Sequence, residues 1–162
     1  MRNKTLLITS FISLTVMLLL SGCEGRVISE NEVKTTGNAS NPCKLITKSQ
    51  VEKIFKESFK DPEDKSPNNH PLGQKIYFFD AVNERSFSFL QLSLIIGDQA
   101  KTIYYDTKKL TDGKEVNGYG DSAFWASLGL HVLTKNIFLN IYCGNSSKPV
   151  NLERAKKVAF IV

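Results

Sequence analysis

Every acidic residue of the chain lies beyond Cys23, and that asymmetry decides how much of it can belong to a fold. Residues 1–22 contain no Asp or Glu, whereas 16 acidic residues follow. Arg2 and Lys4 form a short positive head. Leu6 to Leu20 is then an uncharged, mainly apolar run, interrupted by Thr9, Ser10, Ser13 and Thr15. Such a run falls short of the roughly 18–20 consecutive apolar residues of a comfortable membrane span. A positive head, an apolar stretch of this length and small residues after it describe an export leader, which is removed and contributes nothing to a core. A retained transmembrane helix is the alternative for this segment. Without the leader, 19 Lys and Arg face 16 Asp and Glu, so the net charge falls from +5 to +3. Lys is abundant and Arg is scarce (Arg26, Arg85 and Arg154), and no basic cluster is interleaved with aromatics. Nucleic-acid recognition, which favours Arg forks, is not expected.

Leu20-Ser21-Gly22-Cys23 resembles the lipobox of bacterial lipoprotein precursors. The small pair lets a peptidase approach the backbone, and the Cys23 thiol is the atom that a diacylglyceryl group alkylates. The resemblance implies that Cys23 becomes the lipidated N-terminus of the mature chain, in the cell envelope and outside the cytoplasm. Two long acyl chains of the palmitate kind, at about 0.8 kcal/mol per buried methylene, suffice for a stable anchor. Glu24 to Asn41 is polar and without an apolar period, and reads as a flexible tether. The expected organisation is residues 1–22 as signal peptide, 23–41 as lipidated Cys and tether, and 42–162 as one globular domain.

Within 42–162 the period changes along the chain. Thr47-Lys48-Ser49-Gln50 matches a capping box, and Val51, Ile54, Phe55 and Phe59 recur at helical spacing, predicting a helix over 48–59. Residues 61–73 carry three prolines and read as a loop. Residues 75–81 and 86–96 alternate as strands joined by a turn at 82–85. Ala100, Ile103, Tyr104 and Leu110 share a helical stripe over 98–110. A short strand within 115–127 precedes two strands, 128–135 and 136–143, joined at Lys135-Asn136. A last helix covers about 151–160. Local hairpins and helices that do not alternate singly with strands predict an α+β fold, an antiparallel sheet of about four to five strands with two to three helices packed on it.

Cys43 and Cys143 remain once Cys23 is assigned to lipid. An even pair in an exported domain predicts a disulfide, worth roughly 4–5 kcal/mol for a loop of about 100 residues. Two free thiols are the alternative. His70 and His131 are the only histidines and there is no CxxC, so no metal site is expected. No nucleophile elbow, zincin motif, Walker loop or dinucleotide fingerprint occurs, so neither a catalytic residue nor a cofactor is expected. Tyr119, Asp121 and Trp125 are the candidate ligand contacts, set in Gly118-Tyr119-Gly120-Asp121-Ser122-Ala123-Phe124-Trp125. The plainer alternative makes Asp121 a turn cap and the aromatics, with Tyr104 and Tyr105, core. His131 alternates with apolar neighbours and reads as solvent-facing or internally satisfied.

Residues 42–51, Pro-Cys-Lys-Leu-Ile-Thr-Lys-Ser-Gln-Val, and the segment from Gly118 to Trp125 resemble the opening and the glycine-rich segment of small bacterial lipoproteins of the DUF3558-like group. That resemblance implies a compact α+β envelope domain with no known catalytic residues. The chain departs from it in having no Cys in the strand at 75–79. Together these readings predict a membrane-anchored binding or interaction module whose partner is an envelope protein or a small ligand. An envelope enzyme using Asp121 with a Tyr or His131 is the alternative.

Overall fold

A computed structural model describes residues 45–144 and 146–162. Its elements in chain order are α1 (Lys48–Phe55), β1 (Glu63–Asp64), β2 (Lys75–Asp80), β3 (Phe89–Ile96), α2 (Gln99–Leu110), β4 (Lys114–Glu115), β5 (Ser122–Ala126), β6 (Gly129–Thr134), β7 (Ile137–Cys143) and α3 (Lys148–Ala159). The strands form one antiparallel sheet in the order β1-β2-β3-β7-β6-β5-β4. Each half is a meander, and the chain crosses between them through α2, so that β7 returns to pair with β3 along Leu90↔Cys143 to Ile96↔Ile137.

The helices take opposite faces. Alternation along β3 and β7 sends Leu90, Leu92, Leu94, Leu139, Ile141 and Cys143 to the face carrying α1 and α3, where Val51, Phe55, Ala155 and Val158 meet them. The intervening Ile95 and Phe138 join Leu133, Phe124, Ala100 and Tyr104 under α2. Because helices cover both faces of the two central strands, β3 reads as a near-continuous apolar run rather than a clean alternation. Each fully buried Leu or Phe in these layers contributes roughly 1.5–3 kcal/mol.

The expected α+β architecture is present, with seven strands rather than four to five. The two additional strands, β1 and β4, are two-residue edges too short to carry a period. β1 lies in the stretch expected to be loop, and side chains hold it there. Asp64 accepts a hydrogen bond from the Ser66 backbone N–H at 2.8 Å and another from the Tyr77 hydroxyl at 3.0 Å. These bonds, Ser66 first, keep the Asp64 carboxyl below its ordinary range.

The first helix keeps its predicted capping box, with the Gln50 N–H donating to Thr47 Oγ1 and the Thr47 N–H to Gln50 Oε1. It ends at Phe55 rather than 59. Lys56 turns into the left-handed region at φ 58°, the Phe59 N–H donates to Glu52 Oε1 at 3.0 Å, and Phe59 forms a bridge with Ala81. The tertiary contact therefore outweighs the helical period. α3 begins three residues earlier than 151, helped by Pro149 in its first turn, where a missing N–H costs nothing.

The expected Cys43–Cys143 disulfide is not formed. Cys143 is a free thiol, 1% exposed, and Cys43 lies outside the described residues. The reason is its position on the central strand, where its side chain packs as a small apolar group among the residues that α3 covers. Cys23, the leader and the tether also lie outside the described residues.

Candidate functional site

α1 and α3 lie side by side on one face of the sheet, and between them runs an open groove of about 580 Å³. Its walls are Gln50, Lys53 and Ile54 from α1, Glu153, Lys156 and Lys157 from α3, Phe160 and Ile161 just beyond α3, and Tyr119 from the loop before β5. A shallower depression adjoins it, bounded by Phe55, Lys56, Val150 and Arg154 together with Ile54, Glu153 and Lys157. Local structure explains the chemistry. Each helix ends in lysine, Lys53 in α1 and Lys156 and Lys157 in α3, where the negative end of the helix dipole favours a cation. Gly118 at φ 90° and Gly120 at φ 54° supply the bend that brings Tyr119 to the groove.

Five cations (Lys53, Lys56, Arg154, Lys156 and Lys157) line the two depressions against one carboxylate, Glu153. Glu153 is engaged with Lys156 at 2.9 Å, and that hydrogen bond raises the Lys156 pKa. The Arg154 guanidinium sits 4.6 Å over the Phe55 ring and donates to Ser146 Oγ at 2.7 Å. Among the described residues, Lys53, Lys56 and Lys157 form no ion pair. Phe160 is 88% exposed at the groove's end. The arrangement can hold a group that is anionic on one side and apolar on the other.

The other expected site residues are spent elsewhere. Asp121 is exposed, and its Oδ2 accepts the Lys135 backbone N–H while its own N–H donates to Leu133 O at 2.8 Å. It ties the β6–β7 turn to the start of β5, which is the turn-capping alternative. Trp125 is half-buried against the α1/α3 core and does not line the groove. Of the three candidate ligand contacts, only Tyr119 reaches it.

His131 lies on the opposite face, beneath α2. Its ring stacks on Phe124 at 4.4 Å and lies 5.8 Å from the Phe138 ring. Asn140 Nδ2 stands 3.3 Å from its Nδ1. Burial pushes its pKa down to about 4, so the imidazole is neutral near pH 7. His131 is therefore an aromatic core residue on a different face from Tyr119, and the two do not converge. Tyr104 is likewise core, its hydroxyl donating to Ser122 Oγ at 2.8 Å. Burial also pushes the Cys143 thiol up to about 12, with Arg154 opposing weakly, which leaves a poor nucleophile. The His70 Nδ1 accepts the Leu72 N–H and shapes its own loop.

Among the described residues, no group of three or more His, Cys, Asp and Glu side chains could hold a metal ion. None of the described helices is long and apolar enough to cross a membrane. No protein-family model, no curated protein and no solved structure matches the chain. The groove lysines were not singled out in the sequence. Their place in the last turn of each helix follows from α1 ending at Phe55 and α3 at Ala159, bounds that differ from the 48–59 and 151–160 expected from the local pattern.

Proposed function

We propose that this chain is a bacterial cell-envelope lipoprotein, anchored through a diacylglyceryl group on Cys23, whose α+β domain is a non-enzymatic binding module. The anchor rests on Leu20-Ser21-Gly22-Cys23 placed directly after an acid-free leader. The binding role rests on one observation, the groove between α1 and α3. It carries Lys53, Lys56 and Lys157, which form no ion pair among the described residues, and an exposed aromatic, while Asp121 and Tyr104 are engaged within the fold. An anionic ligand or partner with an apolar portion fits that lining. Grooves of a few hundred Å³ that mix apolar walls with a few charged groups are the usual form of ligand sites.

Replacing Cys23 tests the anchor. The Cys23→Ala chain should leave the membrane fraction for the soluble envelope fraction, or accumulate as an uncleaved precursor of higher mass. Unchanged fractionation together with an unchanged mature size would refute lipidation at this residue.

A further inference from the structure

We infer that the α1/α3 face is itself a membrane-docking surface, and that the groove lysines and Phe160 seat the domain on an anionic lipid surface. This rests on the anchored-lipoprotein reading for its setting, since the anchor would hold the domain beside a bilayer.

Charge complementarity carries the argument. The two adjoining depressions hold five cations and one carboxylate, a local net charge of +4, while the chain from Cys23 onward totals +3. The basic excess is thus concentrated on this one face, and the rest of the chain is close to neutral. The face is also amphipathic. Phe160 is 88%, Val150 44% and Ile161 38% exposed, and they line the depressions with Lys156 and Lys157. Lysines beside exposed aromatic and aliphatic side chains suit the boundary between headgroups and acyl chains, where the cations meet phosphates and the apolar groups enter the interface.

Chain length supports the same occupant. The expected tether, Glu24 to Asn41, has eighteen residues. Such a stretch spans at most roughly 65 Å, against a diameter of roughly 35 Å for a domain of this size. The tether can therefore present any face to the bilayer, and surface charge selects which one. Tethering also makes the encounter intramolecular, so weak docking is enough to populate the seated state.

The probe is the chain from Cys23 to Val162 carrying Cys23→Ser, which keeps every described element and has no lipid. It is sedimented with vesicles of phosphatidylcholine alone and of phosphatidylcholine mixed with phosphatidylglycerol. Binding to the anionic vesicles only, weakening as salt is raised, is expected. Each lysine removed should weaken binding roughly fivefold, so the combined Lys53→Gln, Lys156→Gln and Lys157→Gln chain should lose on the order of a hundredfold. The combined Lys101→Gln, Lys109→Gln and Lys114→Gln chain changes the net charge equally at exposed positions outside the groove and should bind as the parent does. Phe160→Ser alters a side chain almost wholly in solvent and should also weaken binding.

No binding to anionic vesicles, equal binding to both compositions, or equal losses in the two triple variants would each overturn the proposal. The anchor is judged separately. If Cys23 proves unmodified but the anionic vesicles bind through the groove, docking stands and the anchor falls. If Cys23 is lipidated and the vesicles do not bind, the reverse holds.

Discussion

His131 should make this fold acid-sensitive well above the pH at which carboxylates titrate. Its imidazole is 3% exposed, stacked on Phe124, and its pKa is pushed down to about 4 by burial. An unfolded chain returns it to its ordinary value near 6.5. Between those two values the unfolded state binds the proton and the folded state does not. Stability therefore falls as pH drops through that window, and the loss is complete at about pH 4. At about 1.36 kcal/mol for each pH unit between 6.5 and about 4, the loss comes to roughly 3 kcal/mol, a large part of a small domain's 5–15 kcal/mol. Urea unfolding followed by the single Trp125 at pH 7 and pH 4.5 measures it. The His131→Leu chain serves as reference, because it keeps an apolar side chain in the aromatic stack and removes the titrating group. The parent should lose about 2–3 kcal/mol more than the variant between the two pH values. Parallel losses would show that the imidazole is accessible to protons in the folded state, and would refute its placement under α2.

Two further predictions test the packing at the end of β7. The Cys143 thiol should react with a disulfide reagent only as fast as the chain unfolds, and reductant should leave the melting temperature unchanged, since a bridge closing about 100 residues would be worth roughly 4–5 kcal/mol. Gly144→Ala should cost about 1–3 kcal/mol by urea unfolding, because a Cβ there would run into the Phe89 ring, which packs against Phe78 and Tyr142.

What the sequence revealed follows from which features are local. The Thr47/Gln50 capping box, the Lys135-Asn136 turn with Lys135 at φ 53°, and the five longer strands are all encoded within a few residues of where they appear. The features that were missed are set by distant partners. The first helix stops early because Phe59 pairs with Ala81, and β1 exists because Asp64 receives the Tyr77 hydroxyl. Cysteine counting predicted a bridge, but counting carries no depth, and Cys143 sits inside a central strand. His131 alternates with apolar neighbours whether it faces solvent or core, and only the placement of α2 decides between them.

The groove shows the same limit. Lys53 and Lys157 are about a hundred residues apart, on helices that each read as ordinary amphipathic elements. They become one basic surface only because β7 returns to the centre of the sheet and delivers α3 beside α1. The glycine-rich segment places Tyr119, Asp121 and Trp125 close together in the chain. The fold separates them into a groove wall, a turn cap and a core contact.

The mass of the mature N-terminal peptide tests the central claim most directly. Protein recovered from membranes should yield a peptide that begins at Cys23 and carries a diacylglyceryl group on its sulfur. A mature chain that retains residues 1–22, or one that begins elsewhere with an unmodified Cys23, would contradict the account.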